Sequence, residues 1–423
     1  MAGKYQIPRG TFDILPEDSY KWQYVTDVFK EVVRTYNYRE IITPIFEKSE
    51  VFERSVGSSS DIVQKEMYRF QDKKGRKFAL RPEGTAPVVR SYVQNNLGMN
   101  GGNTKLFYMG PMFRYDRPQK GRFRQFYQYG VENIGSDNPF IDAEVIAIGY
   151  SFLKKLGLKN FTLEINSIGC VNCTPDYDRS LIKYFTPYLK EMCSDCNTRI
   201  NKKPKRLLDC KVRGCKKIAK NAPSMLDYLD DECRDHFAGV QDFLKKMGIP
   251  FTVNPKIVRG LDYYNKTAFE FIDNKLGAQN TLIGGGRYNG LISQFGGKDV
   301  PGTGFAGGFE RLILSMEIEG LSFGKEQLPD MFLVTLGQKA FEYGNKLLLK
   351  LRDAGISVEY DPDKETMKAQ MKTADRSRSR FTLILGEDEL AGNKIILKEM
   401  ESGEQKIIGL EKIVESLKKM CKK

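Results

Sequence analysis

Two aromatic-rich runs separated by a short Pro/Gly/Lys loop, residues 105–114 (KLFYMGPMFR) and 122–133 (RFRQFYQYGVEN), constrain the fold of this chain more than any other feature. Aromatic residues at this density favour strands, and a short connection lets two strands pair only antiparallel. That argues against a Rossmann nucleotide site, which is built from parallel strands joined by helices. On the second run, period-two alternation puts Arg122, Arg124, Phe126, Gln128, Gly130 and Glu132 on one face. Cations, a flat aromatic, an amide, a gap and a carboxylate together suit a nucleotide base, its phosphates and an amino-acid ligand. The bland alternative is an edge hairpin with a solvated face, which rarely interleaves Phe and Gly with Arg.

Around this hairpin the apolar spacing over 18–37 (Val25, Val28, Phe29, Val32, Val33) predicts a helix, and YREIITPIFE after it a strand interrupted by Pro44. LRPEGTAPVVR at 80–90 reads as a turn entering a helix, with Glu83 and Thr85 at its mouth; an acidic residue there is commonly just a cap. From about 171 to 250 the texture changes to short helical patterns rich in Cys, Lys and Asp, which reads as an insertion. From about 328, strands such as LVTLG and TLILG alternate with helices, as in a small α/β domain. The predicted organisation is therefore an α+β domain over 1–325 with a mainly antiparallel sheet and a helical insertion, followed by an α/β domain over 328–423.

At 423 residues, with 40% hydrophobic and 29% charged residues, the chain suits two or three globular domains. Its formal net charge of +13 is a clue to a polyanionic partner, though generically basic proteins also exist. No apolar run approaches the ~20 residues of a membrane helix, and the first residues lack a signal-peptide core, so no membrane association and a cytoplasmic location are expected. In that compartment the eight cysteines are thiols or metal ligands rather than disulfides.

Arginine recurs at two further places. Arg259 stands in VRGLDYYNKTAFEF beside Gly260 and ahead of Tyr263 and Tyr264, and Arg311 lies in GFAGGFERL. With Arg114 this makes three candidate arginines, the equipment of a phosphoryl or nucleotidyl transfer that needs positioning and charge neutralisation more than a proton shuttle. The glycine stretches at 284–290 and 302–308 do not fit a phosphate loop, and close backbone approach explains them better. The single histidine, His236, has no partners for a triad and reads as a packing residue. Cys170 and Cys173 form one CxxC and Cys193 and Cys196 another, with 19 residues between the pairs. That spacing suits a structural zinc, against a rival reading of reduced cysteines packing small helices; Cys210, Cys215 and Cys233 follow nearby.

Read together, these segments resemble class II histidyl-tRNA synthetase over nearly the whole chain. YREIITPIFE is similar to the first class-defining motif, FRYDRPQKGRFRQFYQYGVE to the second and GTGFAGGFERL to the third. RGLDYY and GGGRYNGL resemble the two signatures of the histidine enzymes. The resemblance implies the class II synthetase fold, a homodimer, a C-terminal anticodon-binding domain, and ATP with Mg2+, L-histidine and tRNA-His as ligands. It implies further that Arg114 and Arg259 hold the α-phosphate and Arg311 the γ-phosphate side, as the catalytic set. Phe126 would stack on adenine, with Asp116 and Arg122 also at the nucleotide. Glu83, Gly84, Thr85 and Gln128 would take the α-amino end, Glu132 and Tyr264 the imidazole, and Tyr263 would line the pocket. Arg117, Gln119 and Lys120 match the loop that meets the tRNA acceptor end, and Lys368, Gln370 and Arg376 the tRNA-facing segment of the last domain, where a solvated helix face is the alternative. Asp116, Tyr127 and Asn289 depart from the commonest bacterial pattern, which has Glu, His and Asp there. Three rivals have less support: a regulatory paralogue lacks the RGLDYY arginine and the last domain, another class II synthetase lacks the histidine signatures, and an RNA-binding module leaves the pocket unexplained.

Overall fold

The computed structural model describes residues 5–421 apart from 56, 58, 59, 61, 100, 120, 278, 279, 325 and 327. It divides into two compact units, Met1–Gly324 and Lys325–Lys423. The first is built on an eight-stranded sheet in the spatial order Arg39–Glu40, Thr104–Phe113, Gln125–Ile134, Gly302–Gly308, Thr281–Arg287, Asn265–Asp273, Phe161–Ser167, Thr252–Val253. All the long strands pair antiparallel, and only the two-residue strands at the ends run parallel to their neighbours. This is the mixed, mainly antiparallel sheet that the hairpin predicts.

One face of that sheet is apolar and covered by helices. Helix Pro16–Thr35 starts with proline in its first turn beside Glu17 and Asp18, and ends on Arg34, so its charges oppose the helix dipole favourably. It buries Val25, Val28, Phe29, Val32 and Val33 against the sheet, where the Phe29 ring meets Tyr129 and Phe152 at centroid separations of 5.1 and 5.0 Å. Burying an aromatic of this size stabilises the fold by roughly 2–3 kcal/mol. Tyr129 and Val131 face this core, which turns Phe126, Gln128 and Glu132 to the opposite side.

The alternation has a limit. The regular strand begins at Gln125, and Arg124 leaves the pocket face: its guanidinium lies 4.1 Å from the centre of the Tyr115 ring and its Nε donates to the Asp116 carbonyl. Period two holds only along a continuous ladder, and the ladder of these two strands ends at the pair Phe113 and Gln125, short of Arg124. The gap at Gly130 is not open space either, since a Cβ there would lie 2.5 Å from the Tyr108 ring. YREIITPIFE likewise splits at its proline: Arg39–Glu40 joins the large sheet and Phe46–Lys48 a separate three-stranded one.

The GGGRYNG signature has a structural core. Arg287 is fully buried, donating through Nε to both Asp142 oxygens at 3.1 Å and through Nη1 to the Ser136 carbonyl at 2.9 Å. His236 Nε2 lies 3.4 Å from the same carboxylate, which fits the packing role foreseen for it. Burial alone would raise the Asp142 pKa, but Arg287 and His236 outweigh it and hold the carboxyl below its usual range. Arg287→Met therefore leaves a buried carboxylate without its partner, and an equilibrium urea melt is expected to show a loss of about 3–5 kcal/mol. The departure Asn289 belongs to this network, its Nδ2 donating to Asp137 Oδ1 at 2.9 Å.

The insertion forms helices Thr174–Phe185, Ser194–Arg199 and Arg213–Ala219 before the longer Asp231–Lys246, around a small core in which Tyr177, Leu181, Phe185 and Leu207 pack with buried cysteines. The second unit carries a five-stranded sheet in the order Val358–Glu359, Met331–Leu336, Phe381–Gly386, Lys394–Glu399, Gln405–Gly409. The first three strands are parallel, separated by helices Gln338–Asp353 and Met367–Ser377, as the sequence reading expects. The last two are an antiparallel extension that it did not foresee.

Candidate active site

On the open side of the large sheet lies a cavity of about 400 Å3 whose walls come from at least six separate stretches of sequence. It gathers Glu83, Thr85, Arg114, Asp116, Arg122, Phe126, Gln128, Arg259, Tyr263, Tyr264 and Arg311.

At one end the polar groups are bonded to one another. Glu83 accepts the main-chain N–H groups of Thr85 and Ala86 at 2.7 and 2.9 Å, so it does cap helix Thr85–Gln94 and faces the cavity as well. Burial pushes its pKa up against these donors. Thr85 Oγ1 donates to Glu132 Oε1 at 2.7 Å, and the Tyr288 hydroxyl donates to Glu132 Oε2 at 2.6 Å. Glu132 sits behind Thr85, almost wholly buried, and burial raises its pKa to about 8. The Gly84 N–H donates to Gln128 Oε1 at 3.1 Å, and a Cβ on Gly84 would fall 2.1 Å from the Tyr108 ring. Glu132 is itself fitted against Gly304, where a Cβ would lie 2.0 Å from its Oε2. The third glycine-rich motif is thus a strand pressed against a carboxylate, the close approach expected of it, and not a phosphate loop.

The other end is cationic. Arg114 donates from Nε to the Pro82 carbonyl at 2.8 Å and lies 5.2 Å over the Phe126 ring. Arg259 is held by Glu270 at 2.8 Å and stacks 4.9 Å from the centre of Tyr264. Its guanidinium occupies the space that a side chain at residue 284 would take, 2.6 Å from a Cβ on Gly284. Arg311 donates to the carbonyls of Gly121 and Thr281 at 3.0 and 3.3 Å, and Arg122 pairs with Asp116. Burial lowers the pKa of Arg114 and of Arg311, and the charge of Arg122 adds to the lowering of both. An anion between these guanidiniums relieves their mutual repulsion, and a triphosphate is such an anion.

Several residues here were not singled out in the sequence. Glu270 anchors Arg259, Tyr288 anchors Glu132, and Glu310 lines the cavity with its carboxylate accepting the Tyr127 N–H at 2.8 Å. Burial pushes the Glu310 pKa to about 7. Glu270 in AFEF and Glu310 in GGFERL are lone acids in apolar surroundings, which was their available signal. Arg206 and Asp209 reach the same cavity from the insertion, and nothing local in the sequence marks them.

The remaining site residues are dispersed. Arg117 and Gln119 are exposed on the hairpin bend, and Lys120 lies outside the described residues. In the second unit Lys368 and Arg376 are exposed on helix Met367–Ser377. Gln370 is a correction: it is fully buried, with Nε2 donating to the Thr335 carbonyl at 2.7 Å and Oε1 accepting the Thr335 N–H at 3.0 Å. Its amide ties the helix to strand Met331–Leu336 and has no face left for RNA. The set of Cys170, Cys173, Cys193 and Cys196 is a second correction. The two pairs do not meet: Cys193 and Cys196 gather with Cys210 and Cys215, and Cys170 and Cys173 with Asp230 and Cys233. Chain spacing alone could not choose among seven cysteines.

A family model described as histidyl-tRNA synthetase matches residues 10–312, and one described as anticodon binding domain matches residues 330–420. The histidine--tRNA ligase of Bacillus velezensis is 52% identical over 417 residues, covering 98% of each chain. That of Bacillus subtilis (strain 168) is 50% identical over 417 residues, again covering 98% of each. Among solved structures, apo histidyl-tRNA synthetase of S. aureus superposes with a TM-score of 0.83 at 42% identity, covering 98% of this chain and 100% of that one.

Proposed function

Because the chain belongs to the histidyl-tRNA synthetase family, we propose that the cavity between Glu132 and Arg311 is where it activates histidine with ATP and passes it to tRNA-His. The activity itself is that of the family, a class II histidine--tRNA ligase that consumes ATP with a divalent metal. The single observation that carries the site assignment is the gathering, in one cavity, of Glu83 and Thr85, the latter bonded to Glu132 behind it, with Arg114, Arg259 and Arg311 from three distant segments.

In this reading Glu83, Thr85 and Gln128 hold the α-amino group, with Gly84 fixing Gln128. Glu132 and Tyr264 receive the imidazole, and Tyr263 closes the wall. A buried carboxylate left without a donor is costly, so a side chain with no N–H is rejected. Phe126 stacks on adenine while Asp116 and Arg122 contact the nucleotide; the shorter Asp116 is already engaged by Arg122. Arg114 and Arg259 neutralise the α-phosphate as the histidine carboxylate attacks it, and Arg311 draws off the pyrophosphate side. The terminal ribose hydroxyl of the tRNA then attacks the histidyl-adenylate carbonyl and releases AMP. Glu270, which is bonded to Arg259, and Glu310, which adjoins Arg311, line the same cavity and would hold a magnesium ion, which would supply further charge neutralisation on the pyrophosphate.

Arg117, Gln119 and Lys120 are assigned to the acceptor end, and Lys368 and Arg376 to the anticodon-binding unit. The domains divide the work accordingly: 1–325 carries the chemistry and 328–423 reads the tRNA. A homodimer is supported by exposed apolar residues along the first motif, with Ile42 83% and Phe46 51% exposed. Light scattering should return twice the 48.3 kDa chain mass, and a monomer at micromolar concentration would refute it. Among the described residues no helix is long and apolar enough to cross a membrane; a cytoplasmic location belongs to this reading. A structural zinc in the insertion belongs to the same reading.

Pyrophosphate exchange into ATP, with each of the twenty amino acids offered singly and no tRNA, tests the site directly. Exchange with histidine alone is expected. No exchange with any amino acid, alongside measurable histidine binding, would mean a regulatory histidine-binding protein instead.

A further inference from the structure

Seven of the eight cysteines lie in the insertion and form two groups. In each, four ligand atoms lie within 4.8 Å of one another: the thiols of Cys193, Cys196, Cys210 and Cys215 in one, those of Cys170, Cys173 and Cys233 with an Asp230 oxygen in the other. The sulfurs are too far apart to be bonded, with Cys170 and Cys173 at 3.6 Å and Cys193 and Cys210 at 3.8 Å. Four sulfurs about 2.3 Å from a tetrahedral ion stand about 3.8 Å apart along each edge. Main-chain N–H groups also point at sulfur: Asn172 at Cys170 (3.3 Å), Asp230 at Cys173 (3.3 Å) and Cys193 at Cys215 (3.2 Å). Such donors stabilise thiolates, as the outer partners of metal ligands do. Asp230 is arranged for a shared role, one oxygen accepting the Cys233 N–H at 2.9 Å and the other lying 3.1 Å from Cys170 Sγ.

We propose that the insertion holds two structural zinc ions, one on Cys193, Cys196, Cys210 and Cys215 and one on Cys170, Cys173, Asp230 and Cys233. Four protein ligands at each leave no open position, so both ions are structural and not catalytic. Ligand atoms this close enclose a single ion and have no room for an iron–sulfur cluster. Each filled site carries two negative charges. Lys205, whose Nζ donates to Thr174 Oγ1 at 2.9 Å beside the second site, and exposed Lys211, Arg213, Lys216 and Lys217 around the first partly balance them. The insertion core is small and cysteine-rich, so binding of metal adds directly to its folding stability.

The first site also reaches the catalytic cavity mechanically. Between Cys196 and Cys210 the chain carries Lys203, whose Nζ pairs with Asp262 at 2.6 Å, and Arg206, whose Nη1 donates to the Arg259 carbonyl at 3.4 Å. Zinc at this site pins both ends of the segment that leans on the loop bearing Arg259. The assignment is independent of the reaction, because metal content is measured without substrate.

The test is elemental analysis of full-length protein purified without added metal and dialysed against metal-free buffer. About two zinc ions per chain are expected, with Cys215→Ala and Cys233→Ala each losing one and retaining the other. Should either variant fail to fold, the native protein decides: titration with an organomercurial should release two zinc per chain, and cobalt-grown protein should show thiolate-to-cobalt charge transfer with intense tetrahedral d–d bands. Chelation should speed amide exchange over 170–233 and leave 104–134 unchanged. One zinc per chain or fewer, iron in its place, or seven thiols reacting freely with a disulfide reagent in the native protein would overturn the proposal.

Discussion

Arg259→Ala is expected to slow histidine-dependent pyrophosphate exchange by about 10²–10³-fold, equivalent to about 3–4 kcal/mol of transition-state stabilisation. The reason is that Arg259 is prepositioned, with Glu270 at 2.8 Å on one side, the Tyr264 ring on another and the bare backbone of Gly284 beneath it. Such a guanidinium meets developing charge on phosphorus with little reorganisation. The fold should survive, because the abandoned Glu270 keeps the Thr281 hydroxyl at 3.2 Å and its side chain remains 22% exposed. The thermal midpoint should therefore stay near that of the parent while kcat falls. Lysine at 259 should restore little, since an ammonium cannot reproduce the planar fork. Near-normal adenylate formation by the alanine variant would remove Arg259 from the mechanism.

Glu132→Gln should move activity and stability in opposite directions. The amide oxygen can still accept from Thr85 or Tyr288 but carries no charge for the imidazole N–H, so kcat/KM for histidine is expected to fall by about 10²-fold. Stability follows from the raised pKa of about 8, which burial causes. Between pH about 4.5 and about 8 the folded chain keeps a proton that the unfolded chain has released. The contribution of this carboxyl is thus fully present below the unfolded pKa and is lost as pH rises through 8. Glutamine has no such dependence. Unfolding midpoints at pH 5, 6.5 and 8 should therefore show the variant gaining on the parent at each step. A difference that stays flat with pH would mean that Glu132 is already ionised in the empty site.

Much of this architecture was legible because it rests on local periodicity. The hairpin, the helix over Pro16–Thr35 and the turn into Thr85–Gln94 follow from alternation, apolar spacing and turn residues, and Glu83, Thr85, Phe126 and Gln128 came with them. The misses arise where three-dimensional neighbours override spacing. Arg124 broke the alternation because the chain bends before Gln125, and Gln370 sits on a charged helix yet turns inward to a strand edge. The cysteines were rightly suspected as ligands, but their grouping depends on how short helices fold back, which spacing does not encode. Glu270 and Arg206 became visible only through their hold on Arg259 and its loop.

The order of strands in the large sheet bears on how the chain is made. Strand Gln125–Ile134 carries the centre of the pocket, and one of its two neighbours, Gly302–Gly308, is encoded about 170 residues later. At ribosomal speeds of about 5–20 residues per second, the nascent hairpin waits roughly 10–30 s with that edge unpaired. An unpaired strand edge is a template for pairing with other chains. The early half of the enzyme is thus at its most vulnerable on the polysome, and the third motif, when it arrives, closes the sheet and completes the cavity in a single event.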